Sequence, residues 1–329
     1  MDGKARTRLP RCCREGTASR HLQEQCRIRR EVQQREQDIH VEHKQVSDMT
    51  NEEFRRHYTG NKITPGLSST SSNFTYQSLA ASDIPTRMDW REQQAVTPIK
   101  DQGRCGACWA FSVAAAVEGL TKIKTGELIS LSEQQLVDCS SQNNGCGGGS
   151  LKLAYDYVEQ NGLAREESYP YEGTDTGTCN TDMESERAAK ITSYAQVTSR
   201  DENDLLKAVA MQPVSIRIAA YGLDFQQYSI GVFSGDYGTD LNHDITAIGY
   251  GTTEDGIDYW LMKNSWGTQW GESGFMKILR NSDAPEGMCG LAINNFDCIS
   301  LYVYYSMPLF HIYLSIEYAL PNSTIHVGS

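Results

Sequence analysis

The sharpest chemical signal in the sequence is a cysteine that follows a run of small residues. Residues 102–112 read QGRCGACWAFS, and an apolar, alanine-rich helix is predicted over 109–124. A helix N-terminus favours a thiolate, and the glycines upstream let the backbone turn and expose the sulfur. We therefore interpret Cys108 as a nucleophile. A redox couple with Cys105 and half of a zinc site are the alternatives, although no thioredoxin-like strand–helix–strand pattern and no second cysteine pair accompany them.

A thiolate nucleophile needs a partner that takes its proton and later protonates the leaving amine. Imidazole suits this task near neutral pH. Of the seven histidines, only His243 lies between Cys108 and residue 310, in a turn that enters a predicted strand. A lone histidine at a strand start can equally be structural, but its position as the sole candidate favours a catalytic role.

Two amide side chains complete the predicted constellation. Asn264 can fix the imidazole tautomer by accepting a hydrogen bond, with Trp266 and Trp270 shielding that bond from water. The Gln102 side chain and the Cys108 backbone N–H are the candidate donors to an oxyanion. The alternatives are a hairpin-turn asparagine and a solvated loop glutamine.

These residues lie in a globular stretch that is first helical and then rich in strands. Capping residues predict helices that begin after Thr50, Ser132 and Ser199. Beyond Pro213, short apolar runs between glycines predict strands. The predicted strands cover residues 214–218, 245–250, 259–262 and 275–279. Helices followed by strands favour an α+β protein with two lobes.

Composition divides the chain into three predicted regions. Residues 1–83 are charged and weakly patterned at first and then rich in Ser, Thr, Pro and Gly, as expected of a poorly ordered segment followed by an exposed linker. Residues 84–297 form the predicted folded domain, and residues 298–329 form an apolar tail. Within the tail, 299–316 is long enough to raise the question of a membrane span.

Other features of the sequence limit which partners and which location can be expected for the protein. Pro308 and His311 interrupt the apolar tail and no Lys or Arg follows Arg280, so we expect no membrane anchor. The net charge of −12 argues against nucleic-acid binding. Residues 1–37 contain no apolar run of the length that a secretory signal needs.

With these motifs in this order, residues 84–295 resemble the papain family of cysteine proteases, especially its plant members. The resemblance implies an α+β, papain-like two-lobe fold, with a helical left lobe, a β-barrel-like right lobe and the active-site cleft between them. It implies a cysteine endopeptidase that forms a thioester at Cys108, with His243 as base and acid in a thiolate–imidazolium pair. A catalytically impaired relative that binds peptides or inhibitors is the alternative function.

The resemblance also implies a disulfide framework, no metal and no cofactor. The implied disulfides are Cys105–Cys146 and Cys139–Cys179. A third bridge of the family would join Cys289 to a cysteine where this chain has Tyr237. We predict that this bridge is absent, unless Cys298 provides another partner.

Substrates implied by the resemblance are proteins and peptides, with the main pocket receiving the side chain two residues before the scissile bond. The predicted substrate-binding residues are Gly148, Gly149, Ser150, Leu151, Arg217, Asp244, Trp266 and Asn294. Most relatives have small or apolar residues at the positions of Arg217 and Asp244. We therefore expect an ion pair that narrows or polarises the pocket, the alternative being that Arg217 extends to water.

The remaining implications concern assembly and location. The resemblance implies a monomer, cystatin-type proteins as inhibitors, and a secreted, vacuolar or lysosomal location. It also implies that residues 1–83 are a truncated or atypical propeptide and linker, in which residues 46–54 correspond only to the end of the family's much longer inhibitory propeptide.

Overall fold

The computed structural model describes residue 46 and the ranges 49–59, 75–235 and 238–303, with the backbone alone for 297–303. The α-helices in this part are α1 (Asn51–Tyr58), α2 (Cys108–Thr125), α3 (Glu133–Cys139), α4 (Leu151–Asn161), α5 (Thr181–Glu184), α6 (Glu202–Met211) and α7 (Leu223–Gln226). Short 3₁₀ helices lie at Ala81–Asp83, Gly145–Gly147 and Met288–Gly290.

The strands form one continuous, mainly antiparallel sheet. They are β1 (Met88–Asp89), β2 (Leu163–Ala164), β3 (Arg187–Gln196), β4 (Val214–Ile218), β5 (Val232–Phe233), β6 (His243–Thr252), β7 (Asp258–Lys263), β8 (Phe275–Leu279) and β9 (Asn295–Val303). Their order is β2-β3-β9-β4-β6-β7-β8-β5, with β1 paired to β6. The pair β5 and β8 is parallel.

The buried apolar side chains of the described residues form two large clusters and one small one. One large cluster, the helical core, packs α2, α3 and α4, with Trp109, Leu136 and Tyr155 at its centre. The other large cluster packs the sheet from β4 to β8, with Trp260 and Ile278 buried. The observed architecture is the predicted α+β arrangement, with a helical lobe and a strand-rich lobe.

Helix α2 matches the prediction because its sequence is apolar on nearly every side. It begins at Cys108, and its first four turns are almost entirely buried. It ends where Gly126 takes a left-handed φ of 80° and its N–H donates to the Lys122 carbonyl. The helix therefore holds Cys108 at a fixed, buried start.

The capping predictions have different outcomes. The Thr50 capping box is confirmed, with side-chain and backbone hydrogen bonds in both directions to Glu53. Ser132 caps α3 as predicted by accepting from the Gln135 N–H. The predicted start of α6 at Ser199 is wrong, because the N-cap is Asp201, whose carboxylate accepts two backbone N–H groups.

Five of the nine described strands were not predicted: the two-residue strands β1, β2 and β5, and the longer strands β3 and β9. Strand β3 carries polar and charged residues and lacks an apolar run, and it pairs with β2 and β9. Strand β9 crosses the domain boundary that we placed after residue 297. The predicted strands 214–218 and 275–279 are confirmed at their exact bounds, whereas β6 and β7 extend beyond the predicted runs.

The two disulfides implied by the resemblance form in the structure. They are Cys105–Cys146 and Cys139–Cys179. The Cys289 sulfur donates to the Gly235 carbonyl at 3.1 Å. Tyr237 and the side chain of Cys298 lie outside the described residues, so the absence of a third bridge stays a prediction.

The tail prediction falls largely beyond the described residues. Residues 299–303 belong to β9, whereas 304–316 lie outside the described part. Across the described ranges, no helix combines the length and the apolar character that crossing a bilayer requires.

Candidate active site

The predicted nucleophile opens the central helix. Cys108 is the first residue of α2, and its side chain is buried. The loop before it is anchored by the Cys105–Cys146 disulfide and by a 2.9 Å hydrogen bond from the Gly106 N–H to the Cys146 carbonyl. This anchoring fixes the sulfur at a helix N-terminus, where partial positive charge favours a thiolate.

A serine one turn further along α2 connects this helix to the strand that carries the predicted base. The Ser112 hydroxyl donates to the Ile245 carbonyl at 2.7 Å, and the Ser215 hydroxyl donates to the Ser112 carbonyl at 3.1 Å. Ser112 lies on the same helix face as Cys108, and Ile245 lies two residues after His243 along β6. The start of α2 therefore packs against the start of β6.

The predicted histidine and asparagine are in direct contact. His243 Nε2 lies 2.8 Å from Asn264 Oδ1. The Ser265 backbone N–H donates to the same Oδ1 at 2.9 Å, which identifies this atom as the amide oxygen. An oxygen can only accept, so Nε2 of His243 carries the proton and Nδ1 is left as the acceptor. Nδ1 is buried without a hydrogen-bond partner in the described part of the chain.

Aromatic rings enclose the histidine. The Trp266 ring stacks on the His243 ring with centroids 4.5 Å apart, and Trp270 meets Trp266 edge-on. Burial lowers the pKa of His243 to about 4, against the smaller raising effect of the Asn264 hydrogen bond. The imidazole is therefore neutral near pH 6 unless a negative charge lies beside it, and a thiolate on Cys108 is such a charge.

Gln102 is held in place from three sides. Its backbone N–H donates to the Ser265 carbonyl at 2.9 Å, and its Oε1 accepts from the Ser265 hydroxyl at 2.7 Å. Its Nε2 donates to the Cys105 carbonyl at 3.0 Å. The side-chain amide is buried and oriented, so the alternative of a solvated loop glutamine is wrong.

Helix α1 covers this region. The carbonyl of Tyr58 accepts from Gln102 Nε2 at 3.4 Å. The rings of Phe54 and Tyr58 meet the Trp266 ring edge-on, with centroids 5.1 and 5.9 Å away. Helix α1 lies in the predicted propeptide. A propeptide carbonyl therefore accepts a hydrogen bond from the side-chain amide that we predict to bind an oxyanion.

The predicted ion pair forms in the strand-rich lobe. Arg217 Nε lies 2.8 Å from Asp244 Oδ1, and Arg217 Nη2 lies 3.2 Å from Oδ2. Arg217 Nη2 also donates to the Gly149 carbonyl at 3.1 Å. The alternative in which Arg217 extends to water is wrong, since the residue is only 4% exposed.

The other predicted peptide-binding residues lie in varied surroundings. Gly149 packs against Trp109, where an added Cβ would lie 2.6 Å from the indole. Ser150 and Asn294 are half-buried, whereas Leu151 packs in the helical core. Their role in binding peptides stays a prediction.

Sequence reasoning missed a buried charged cluster between the lobes. Glu118 of α2 accepts from Lys100 at 3.2 Å and lies 3.8 Å from Lys263, the last residue of β7. Lys100 also contacts Glu133 at 2.7 Å. The signal was a glutamate inside an apolar helix, because a charge at such a position must find partners. Ser112 gives the same kind of signal in this helix, because its buried hydroxyl also needs a hydrogen-bond partner.

Potential metal ligands cluster at one place in the described part of the chain. The atoms of Cys139, Cys179 and Glu184 lie within 4.8 Å of one another. Both sulfurs belong to a disulfide, which removes the thiolates that would bind a metal.

Comparison with known proteins gives the same picture. The model of the papain family cysteine protease matches residues 84–298. The senescence-specific cysteine protease SAG12 of Arabidopsis thaliana is 52% identical over 254 residues, covering 76% of this chain and 73% of that protein. Vignain of Vigna mungo is 48% identical, covering 75% of this chain and 69% of that protein.

Solved structures extend this similarity to three dimensions. The proform of the Amb a 11 cysteine protease, a ragweed pollen allergen, matches with a TM-score of 0.73 and 43% identity, covering 77% of this chain and 79% of that one. A recombinant stem bromelain precursor matches with a TM-score of 0.69 and 42% identity, covering 76% of this chain and 80% of that one. From the motifs, the two-lobed fold and these similarities together, the chain belongs to the papain family of cysteine proteases and is a papain-like cysteine endopeptidase.

Proposed function

We propose that this chain hydrolyses peptide bonds by acyl transfer through Cys108, with His243 as general base and then general acid. The Cys108 sulfur attacks the scissile carbonyl carbon while its proton passes to His243 Nδ1. Collapse of the tetrahedral intermediate forms a thioester, and the imidazolium returns the proton to the departing amine. Water, deprotonated by His243, then attacks the thioester and releases the acid product with the free thiol.

The observation that carries this proposal is the fixed tautomer of His243. Asn264 Oδ1 accepts from Nε2, which leaves Nδ1 as the proton acceptor in a buried site. The hydrogen bond between Ser112 and Ile245 supports a short distance between His243 Nδ1 and Cys108. Ser112 lies one helical turn after Cys108, and Ile245 lies two residues after His243, so this bond holds the two elements together close to the reacting atoms.

Stabilisation of the oxyanion is assigned to the backbone N–H of Cys108 and to Nε2 of Gln102. The Tyr58 carbonyl now accepts from that Nε2, so the amide becomes available only when α1 leaves. We therefore propose that residues 1–83 act as a propeptide, that 84–297 form the mature peptidase and that 298–329 are an added tail.

The test uses the full chain after acid-induced or added-protease maturation. Iodoacetamide, which carries no peptide, is titrated against the mature protein, and hydrolysis of a mixture of fluorogenic peptides is measured in parallel. We expect labelling of one thiol at Cys108 and a loss of hydrolysis of at least about 1,000-fold in Cys108→Ala. Unchanged hydrolysis in Cys108→Ala would overturn the proposal.

His243→Gln separates activation from simple exposure of the thiol. It should slow the labelling of Cys108 at pH 6, because the neighbouring base is gone. Equal labelling rates in both proteins would contradict the role of His243.

We further propose a secretory location ending outside the cell or in a vacuole or lysosome. The two disulfides support an oxidising compartment. The mature protein is proposed to be a monomer that cystatin-type proteins inhibit. Size-exclusion chromatography of the mature protein, alone and with a cystatin, tests both points: a dimer, or no complex, would contradict them.

A further inference from the structure

We infer that the Arg217–Asp244 pair makes the main substrate pocket select a neutral hydrogen-bond acceptor, Gln or Asn, two residues before the scissile bond. This inference rests on the proposed function and on the predicted place of both residues in that pocket. It names a class of peptide that a pocket lined by apolar side chains would disfavour.

The pair is fixed by the sheet itself. Arg217 of β4 and Asp244 of β6 stand directly opposite each other in the antiparallel register. The two side chains are 5% and 0% exposed, and the guanidinium meets the carboxylate through Nε and Nη2. Arginine cannot lose its charge in this setting. Burial raises the pKa of Asp244 and Arg217 only partly offsets this, so the expected preference applies at pH values above that pKa, where the pocket holds both a cation and an anion.

A third contact sets the direction of the guanidinium plane. Nη2 also donates to the carbonyl of Gly149, which packs against Trp109 of the helical core. Two edges of the planar group are therefore occupied by protein acceptors. The remaining Nη1 makes no hydrogen bond to a described residue, although Arg217 is more than nine-tenths buried.

The chemistry of the occupant follows from this arrangement. A large apolar side chain would cover Nη1 and remove its water without replacing the lost hydrogen bond. Sites built around such a donor discriminate strongly against groups that cannot accept. An amide oxygen of Gln or Asn can accept from Nη1 and satisfies it.

The charge of the pair then determines whether the pocket prefers the amide side chains of Gln and Asn or the acidic side chains of Glu and Asp. Asp244 already neutralises Arg217, so a carboxylate of Glu or Asp would place a second anion beside a single cation. The surplus anion would be desolvated with no counter-charge of its own. We therefore expect the order Gln and Asn first, then Glu, then Leu and Phe.

The experiment measures kcat/KM of the mature enzyme on fluorogenic peptides that differ only two residues before the scissile bond. We expect Gln to exceed Leu by about 10-fold to 100-fold. Asp244→Asn leaves the arginine without its anion, so the preference should move from Gln to Glu. The double variant Arg217→Val with Asp244→Ala removes both charges and should make Leu and Phe the preferred residues.

Each outcome has a clear meaning. A wild-type profile led by Leu or Phe would overturn the inference, as would a double variant with an unchanged ranking. Peptide mapping after iodoacetamide labelling counts Cys108 separately from Cys289, and thermal unfolding of every preparation identifies poorly folded variants. If the proposed function itself fails, no peptide is cleaved and the thiol is not activated, whatever residue occupies the varied position.

Discussion

Ser112→Ala tests whether one hydroxyl aligns the two halves of the active site. The hydroxyl donates to the Ile245 carbonyl at 2.7 Å, and both residues are buried. Its removal leaves that carbonyl without this donor, which costs about 1–3 kcal/mol of unfolding free energy. For a domain of this size each kcal/mol lowers Tm by about 2–4 °C.

The effect on catalysis should exceed the effect on binding. Cys108 lies one turn before Ser112, and His243 lies two residues before Ile245, so a loosened contact displaces the reacting atoms relative to each other. A displacement of about 1 Å can cost about 100-fold in rate. We expect kcat to fall by about 10-fold to 100-fold with KM changed by less than about threefold.

The assay combines thermal unfolding with steady-state kinetics on enzyme counted by iodoacetamide titration. Ser141→Ala is the matched control, since Ser141 is exposed and should change stability by less than about 0.5 kcal/mol. If Ser112→Ala behaves like Ser141→Ala in both measurements, the hydroxyl does not align the lobes and the reasoning fails.

Two further predictions concern buried partners. Asn264→Ala removes the acceptor that orients His243, so kcat/KM should fall by about 10-fold to 100-fold; a change of less than threefold in titrated enzyme would contradict this. Burial would raise the pKa of Glu118, but Lys100 and Lys263 lower it overall, so the carboxylate stabilises the fold above its unfolded pKa and loses this effect as the pH falls through the folded value. Glu118→Gln should therefore cost about 3–5 kcal/mol at pH 6 and about 1 kcal/mol less at pH 3.5 in urea unfolding, because each pH unit below the unfolded pKa removes at most about 1.4 kcal/mol. An equal cost at both pH values would refute the charge-based account.

The site could be predicted largely because its chemistry leaves local marks. Cys108 follows a glycine-rich turn at the start of an apolar helix, and His243 is the sole histidine of the globular region before residue 310. Asn264 and Gln102 needed the family resemblance, since each has an ordinary structural explanation when considered alone.

The contacts that align the site could not be predicted in the same way. Ser112 and Ile245 are 133 residues apart, and their hydrogen bond depends on how a helix packs on a sheet. The same holds for Ser265 and its bond to Gln102, which spans 163 residues. A polar residue in an apolar helix indicates that a partner exists, but not which residue it is.

Errors in the fold have equally local causes. The start of α6 moved from Ser199 to Asp201 because the aspartate caps two backbone N–H groups. Strand β3 lacks an alternating or continuous apolar pattern, because its residues beyond Ile191 are mostly half-buried. Its position is set by pairing with β9, which a local pattern does not contain.

The position of β9 also affects how the protein can be made. This strand pairs with β3 on one side and with β4 on the other, and among the described strands it is synthesised last. On the ribosome, the helical part can begin to collapse while the sheet is still divided. The sheet can close only after residues 295–296, through which β9 pairs with β4, have left the exit tunnel, so its two parts join after the predicted peptidase region has been translated.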